Sequence, residues 1–382
     1  MYDLILKQGR VIDPHQRVDE VLDVAVDKGK IVCLNKCISE KKGKKILNVK
    51  GKIIAPGLID LHTHIYWGGT SLGIKVDSLG IKSGVTTFVD AGSSGAGNFI
   101  GFEEFIVKNS LFQIFVFLNI SYPGIIGFSK KIIYGESQNI ELLDKNEAIE
   151  MTMKYPKIIK GIKVRVSETA SGSLGIIPLS IALEVAEEIK KPVMVHIGKP
   201  PPDSKQVISL LRKGDIITHS FRADPNGLLD QKGCIVPQLQ AARQRGVIVD
   251  IGHGKGGFSF DTAGKMIAQG FFPDTISSDV HVLSIDGPVY DLPTTMSKML
   301  NLGMSLNEVI YSTTYKPALV LGEKNNIGHL MVGSIADISV LELIEGKYEY
   351  IDGCGEKMVC KKRLFPRITC KGGNIFKSSR HY

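Results

Sequence analysis

The sequence predicts an α/β protein: a (β/α)8 TIM barrel with a small β-sandwich domain formed by both ends of the chain. Eight short, apolar, β-rich runs recur through the middle of the chain, and most precede a stretch of helical character. The chain has 382 residues, and residues 53–326 match the usual size of such a barrel. The flanking segments 1–52 and 327–382 have alternating runs broken by turn residues, as antiparallel sheets do.

The eight predicted barrel strands follow one another along the chain. They are "IIAPGLIDLHTH", "VTTFVDAG", "FQIFVFLNI", "IIKGIKVRVS", "PVMVHIG", "DIITHSF", "VIVDIGHG" and "DTISSDVH". Linking stretches such as "PLSIALEVAEEIK" and "KQVISLLRKGD" have the pattern of outer helices. A doubly wound open sheet is the alternative, but it does not need eight strands, and no G-x-G-x-x-G follows the first run.

Composition and charge argue against several classes of protein. The formal net charge is +8, but the lysine-rich stretch 40–52 lacks interleaved aromatic residues, so we expect no nucleic-acid partner. The apolar run "LFQIFVFLNI" is too short to span a bilayer, so we expect no membrane association. Six scattered cysteines without a C-x-x-C pair, and a charged N-terminus, indicate a reduced, cytoplasmic protein. We expect a homo-oligomer that acts on a small molecule.

Side chains suited to metal binding lie where the predicted strands end, and barrel enzymes place their chemistry at that face. The positions are His62 and His64 in strand one, Lys163 in strand four, His196 in strand five, His219 in strand six, His253 in strand seven, and Asp279 with His281 in strand eight. A lone buried histidine is more often a core residue than a ligand. Ligand types at the same end of five strands, however, indicate a metal site. Imidazoles with a carboxylate suit zinc, iron or manganese.

Lys163 lies inside an apolar strand, where a buried ammonium is costly unless it is paired or chemically altered. Two metals need an anionic bridge, and strand four contains no Asp or Glu. Addition of carbon dioxide to the amine gives a carbamate, which has two oxygens and a negative charge. We therefore expect a Lys163 carbamate that bridges two divalent ions. The alternative is an ammonium that reaches solvent or an acid.

Five motifs, taken in order, resemble the amidohydrolase superfamily of metal-dependent hydrolases: "DLHTH", "GIKVR", "MVHIG", "ITHSF" and "SSDVH". Further stretches are similar to its deacetylase branch, whose members are described as dihydroorotase-like or adenine-deaminase-like. These stretches include "VHIGKPP", "DIGHGKGGFSF" and "GPVYDLPTTMSKML". The resemblance extends over the whole chain, including the split β domain.

The resemblance implies a role for each ligand position. His62, His64 and Asp279 would bind the buried metal, His196 and His219 would bind the outer metal, and carboxylated Lys163 would bridge the two. Zinc is the usual ion of the superfamily. A hydroxide between the metals would attack the substrate carbonyl, and Asp279 would accept its proton and pass it to the leaving atom.

Three further residues are candidates for substrate binding. Arg165 lies two residues beyond Lys163, so the period of a strand aims it to the same side, and a guanidinium suits a carboxylate. An ion pair at the barrel rim is an equal alternative. Tyr122 follows strand three and could donate to the carbonyl oxygen, although packing on the rim is the plainer role. His253 could contact the substrate or orient Asp279.

We expect hydrolysis of an acyl bond in a small acid, such as an N-acetyl amino acid or an O-acetyl hydroxy acid. A cyclic amide hydrolase of the dihydroorotase type and a purine deaminase are alternatives, because all three would use the same hydroxide mechanism. A panel of acetylated acids, dihydroorotate and adenine would separate them. A non-catalytic structural homologue is a minor alternative, since the six ligand positions are complete.

Overall fold

The computed structural model describes residues 1–378, which form two β-sheets and a set of helices around one of them. In chain order the strands are β1 (Leu4–Asp13), β2 (Val18–Asp27), β3 (Lys30–Asn35), β4 (Ile46–Asn48), β5 (Ile53–Pro56), β6 (Leu58–Thr63), β7 (Val85–Gly95), β8 (Gln113–Asn119), β9 (Ile159–Val166), β10 (Val193–Ile197), β11 (Ile216–Thr218), β12 (Ile248–Val249), β13 (Ile338–Ile351), β14 (Lys357–Lys371) and β15 (Asn374–Lys377). The α-helices are α1 (Val76–Ser83), α2 (Phe99–Phe102), α3 (Lys145–Lys154), α4 (Ile177–Glu188), α5 (Ser204–Leu210), α6 (Pro237–Arg245), α7 (Phe260–Ala268), α8 (Leu292–Asn301), α9 (Leu306–Tyr311) and α10 (Tyr315–Val320). Short 3-10 turns occur at Glu40–Lys42, Ile140–Leu142 and Gly172–Leu174, and a π-helical turn at Glu103–Val107 extends α2.

Strands β6 to β12 form a seven-stranded parallel sheet in sequential order. Parallel strands covered on both faces are apolar without alternation, and every residue of β6 and β7 is indeed buried. The register places residues of β9 and β10 side by side at the carboxyl ends of the strands. Lys163 of β9 pairs with Met194 of β10, and Arg165 pairs with His196. The predicted TIM-barrel-like domain is therefore confirmed.

The eighth predicted strand, "DTISSDVH", is not a regular strand among the described residues. This segment instead makes two isolated parallel bridges, Asp250 with Thr275 and Thr63 with Val280, which join β12 to β6 and close the barrel. Polar side chains interrupt the ladder, since the Ser278 backbone N–H and hydroxyl both donate to Asp60. Asp279 then adopts a φ of 49°, in the left-handed region that strands do not use. The sequence correctly predicted that this segment takes the eighth place in the barrel, but the prediction of a regular strand there is wrong.

The first predicted strand, "IIAPGLIDLHTH", divides into β5 and β6 at Gly57. A Cβ at Gly57 would lie 2.1 Å from the Thr86 hydroxyl oxygen, so only glycine fits this close approach. β5 pairs with β1 and β13 of the other sheet, whereas β6 enters the barrel. The segment 53–56 thus belongs to the sheet at the chain ends, although the sequence assigned it to the barrel.

Both chain ends contribute to one eight-stranded sheet. Its order is β15-β14-β13-β5-β1-β2-β3, and β4 pairs with β1 beside this path. The long β13–β14 hairpin also reaches the barrel, because Tyr350, Cys360 and Leu364 are buried in the same core as the barrel residues. The remaining domain boundaries, and the division of this sheet into a sandwich, stay predictions.

Candidate metal centre and active-site cavity

His62, His64 and Asp279 form a buried group at the carboxyl end of the barrel. One ligand atom from each residue lies within 4.8 Å of the others. The Oδ1 atom of Asp279 is 3.3 Å from Nε2 of His62 and 3.3 Å from Nε2 of His64. This oxygen is buried and has no hydrogen-bond partner among the described residues. A buried carboxylate oxygen without a donor is costly, so the arrangement fits a cation between the three atoms.

The hydrogen bonds of His62 make Nε2 the nitrogen with the lone pair, and this atom faces Nζ of Lys163 and Oδ1 of Asp279. The Thr218 hydroxyl donates to Asp250 at 2.8 Å, so it must accept from Nδ1–H of His62, which lies 2.9 Å away. His219 has the same tautomer. Its Nδ1–H donates to the Gly252 carbonyl oxygen, which lies 2.6 Å away and can only accept. Such partners fix the tautomer of a metal-binding histidine.

His196 and His219 lie beside this group. Their ring centroids are 4.4 Å apart, and the ring of His219 is 5.2 Å from that of His62. His196 is at the end of β10, and His219 directly follows β11 with a φ of 63°. A non-glycine residue in this region is strained, and here the strain accompanies a ring turned toward the centre.

Lys163 is 1% exposed, and its Nζ is 3.3 Å from Nε2 of His62. Burial lowers the pKa of Lys163 to about 7. Burial likewise lowers the pKa of His64 to about 3 and of His219 to about 4, and it lowers that of His62 well below its usual value. These rings are therefore neutral near pH 7, which is the form that binds metals.

A cavity of about 490 Å³ opens above these side chains, within the usual size of a small-molecule site. All six residues predicted as ligands line it, so the structure brings together residues that are up to 217 positions apart in the chain, from His62 to Asp279. The loop of residues 125–133 forms part of one wall.

The three residues predicted to bind substrate have different positions. Arg165 lines the cavity, and its Nη1 donates to Glu136 at 3.3 Å. Tyr122 is 41% exposed, and its ring packs against Gly97 outside the cavity lining of the described chain. β8 ends at Asn119, so the strand period no longer directs Tyr122 inward. The structure thus supports the cavity position of Arg165 but not of Tyr122.

His253 is fully buried away from the cavity lining. Its ring stacks on Phe258, and its Nε2 accepts from Nζ of Lys298 at 2.7 Å. Its backbone N–H donates to Ser277, in the segment that leads to Asp279. A direct contact with substrate is inconsistent with this position, whereas an influence on Asp279 stays a prediction.

The sequence did not reveal Lys130, Arg222 or Lys255, all of which line the cavity, and it gave no role to His281, which also lines it. Arg222 follows His219 by three residues, beyond the end of β11, and Lys255 lies in the glycine-rich stretch after His253. Their positions just after strands that precede candidate ligands could have indicated a place at the cavity. The direction of a side chain in a loop, however, cannot be predicted from sequence periodicity.

Comparisons with known proteins agree with this geometry. A family model described as "Amidohydrolase family" matches residues 53–365. A deacetylase of Agrobacterium fabrum is 34% identical over 353 residues, which are 92% of this chain and 86% of that protein. Two solved structures each cover 99% of this chain and 100% of their own. One, described as an adenine deaminase, has 31% identity and a TM-score of 0.90; the other, described as a dihydroorotase, has 32% identity and a TM-score of 0.91.

The motifs, the barrel and the matches lead to the same assignment. The family model extends from β5 through most of β14, so it includes every strand that carries a predicted ligand. The relatives share the full length of the fold rather than one local motif. The chain is a hydrolase and belongs to the amidohydrolase family.

Proposed function

We propose that the protein is a binuclear-metal hydrolase that cleaves an acyl bond, amide or ester, of a small acid. The favoured reaction is deacetylation of N-acetyl amino acids or O-acetyl hydroxy acids. The proposal rests on Oδ1 of Asp279, which lies between two histidines and accepts no hydrogen bond from the described residues. This atom lies at a cavity whose wall is cationic. The deacetylase name of the relative from Agrobacterium fabrum supports the choice of reaction.

Six residues would hold two divalent ions, with zinc as the favoured metal. They are His62, His64 and Asp279 for one ion, His196 and His219 for the other, and Lys163 between them. Lys163 would first react with carbon dioxide: its amine nitrogen bonds to carbon, one proton leaves, and the product carries two oxygens and one negative charge. Its depth in the barrel, 1% exposed and beside His62, is consistent with a bridging anion.

When bound, the ions would supply Lewis acidity to the substrate carbonyl and acidify a water molecule. Asp279 would act as general base and then as general acid, because its carboxylate is held at the cavity wall. It would take a proton from the attacking water and deliver it to the departing nitrogen or oxygen. The neutral histidines would keep their orientation through Thr218 and Gly252.

The cavity wall favours an anionic substrate. Apart from Lys163, four cationic side chains line it, namely Lys130, Arg165, Arg222 and Lys255. Among the described lining residues, only Asp279 is acidic, and it belongs to the candidate metal group. A neutral purine gains little from such a wall, whereas a carboxylic acid gains charge-assisted hydrogen bonds.

Cyclic amide hydrolysis and purine deamination remain alternatives, because solved structures described as a dihydroorotase and an adenine deaminase match the whole chain. A substrate panel separates the three reactions. We expect the metal-loaded protein to release acetate from acetylated amino or hydroxy acids and to leave dihydroorotate and adenine unchanged. Turnover of only dihydroorotate or adenine would refute the proposed reaction but not the metal chemistry.

A further inference from the structure

Arg222 is a buried cation without a carboxylate partner within 4 Å among the described residues. It is 9% exposed and lines the cavity. Its Nη1 donates to the Gly198 carbonyl oxygen at 2.9 Å and to that of Pro225 at 2.5 Å. Carbonyl groups fix the guanidinium in place but do not neutralise it. Asp224 and Cys354 act on it only from a distance, and a buried charge without an ion-pair partner is costly, which indicates an anion that arrives with a ligand.

The remaining donors of Arg222 form one edge of the guanidinium. A guanidinium has five N–H groups, and the two carbonyl bonds occupy Nη1. Nε and Nη2 have no protein partner in the described part of the chain. Two parallel N–H groups on this edge match the two oxygens of a carboxylate.

Arg165 differs from Arg222 in its electrostatic surroundings. Glu136 accepts from Arg165 at 3.3 Å, and the side chain of Glu136 is only 1% exposed. The guanidinium also lies over the ring of Phe128, 5.0 Å from its centroid. Both partners belong to the stretch 125–138, so Arg165 has a neutralising partner and a role in holding that wall. Its affinity for a further carboxylate is correspondingly reduced.

The position of Arg222 relates it to the reacting group. Its backbone N–H donates to the carbonyl oxygen of His219 at 3.3 Å, and its guanidinium binds Gly198, two residues after His196. It therefore connects the chain segments that follow the two ligands assigned to the outer metal. A carboxylate on Arg222 would lie near the acyl carbonyl of the same small molecule.

We infer that Arg222, rather than Arg165, binds the substrate carboxylate and sets the preference for acids over neutral amides. This inference rests on the proposed acyl hydrolysis. It favours substrates in which the acyl-bearing nitrogen or oxygen is attached to the carbon next to the carboxylate. Lys255, exposed at the cavity wall, adds a second positive charge.

The test compares each N-acetyl amino acid with its primary amide, which keeps the size but removes the negative charge. Metal-loaded wild type, Arg222→Met and the matched control Arg165→Met are assayed on both, after their metal content and Tm have been measured. We expect Arg222→Met to lower kcat/KM for the acid about 10- to 100-fold, mainly through KM, with a far smaller change for the amide. Arg165→Met should keep the acid-over-amide preference.

The outcomes separate the two proposals. Wild type that cleaves none of the acetylated acids would refute the proposed function. Wild type that cleaves them, with an unchanged preference in Arg222→Met or a lost preference in Arg165→Met, would overturn only the role of Arg222. If Arg222→Met does not fold, Arg222→Lys replaces it; loss of the two-donor edge should then lower the preference by a smaller factor, and an unchanged preference would again contradict the inference.

Discussion

Asp279 is oriented by its backbone, since its carboxylate oxygen Oδ1 lacks a donor among the described residues. Its backbone N–H donates to the His62 carbonyl oxygen at 2.7 Å, and its φ of 49° turns the side chain out of the strand direction. Gly254 then allows a close approach, because a Cβ there would lie 2.0 Å from Oδ2 of Asp279. These local constraints leave the carboxylate free to bind a cation and to carry a proton.

Substitution of Asp279 by Asn keeps an oxygen atom in the metal group but removes the carboxylate that we propose as the base. We expect Asp279→Asn to retain bound metal and to lose about 10²- to 10⁴-fold in kcat, since general acid–base catalysis contributes this much. Steady-state kinetics and metal analysis on the same sample would check the result. A fully active Asp279→Asn protein would show that another group moves the proton.

Lys163 is the second residue with unusual surroundings, because its side chain is buried and its Nζ lies beside Nε2 of His62. We expect Lys163→Ala to lose metal and nearly all activity, because the proposed carbamate between the two ions cannot form. Added short carboxylic acids should restore part of the activity by occupying the same space. The control is Lys157→Ala, an exposed lysine six residues earlier in the chain. Equal metal content in both variants would rule out a bridging role for Lys163.

At the scale of elements, the segment from Gly252 to Gly257 connects the candidate metal ligands to the β13–β14 hairpin. The Gly252 carbonyl accepts from His219, and Gly254 packs on Asp279. His253 between them accepts from Lys298, a fully buried lysine of α8 that also donates to the carbonyl oxygens of Pro288 and Ile351. Lys298 thus joins this loop to the end of β13.

Burial lowers the pKa of Lys298 from 10.5 to about 7, although the nearby Asp352, Cys360 and Asp291 act in the opposite direction. The unfolded chain therefore binds a proton at this lysine between about pH 7 and 10.5 that the folded protein does not bind. The contribution of Lys298 to stability must rise with pH across this window.

We expect the unfolding free energy of wild type, relative to that of Lys298→Met, to increase as pH rises from about 7 to about 10. Denaturant unfolding of both proteins at several pH values measures the difference. Lys265→Met serves as the control, because Lys265 lies on the surface and pairs with an exposed Asp261. A difference that is constant with pH would mean that Lys298 keeps an ordinary pKa in the folded protein.

The elements also show which features the sequence could reveal. Strand positions follow from apolar runs, and the candidate ligands on β6, β9 and β10 follow from their place in those runs. The break at Gly57 depends on Thr86, and the irregular eighth segment depends on Asp60 and Asp250, which are distant in sequence. Arg222 lies in a loop, where no period indicates direction. Contacts of this kind are visible only after folding.

At the scale of the whole molecule, the sheet formed by the two chain ends is hydrogen-bonded to the barrel domain. Thr369 of β14 donates to the Gly80 carbonyl oxygen at 2.9 Å and accepts from the Gly84 backbone N–H at 3.0 Å. Lys298 provides a further link between the barrel and the hairpin. Alternating runs at both ends of the sequence predicted this union, whereas the homo-oligomer and the cytoplasmic location stay predictions. No described helix is both long and apolar enough to cross a membrane.

The central claim is a two-metal centre bridged by a modified lysine, and native mass spectrometry of freshly purified protein tests it most directly. We expect each wild-type chain to carry two divalent ions together with the added mass of one carbon dioxide, and Lys163→Ala to lack that added mass. A wild-type chain with neither metal nor added mass would contradict the account.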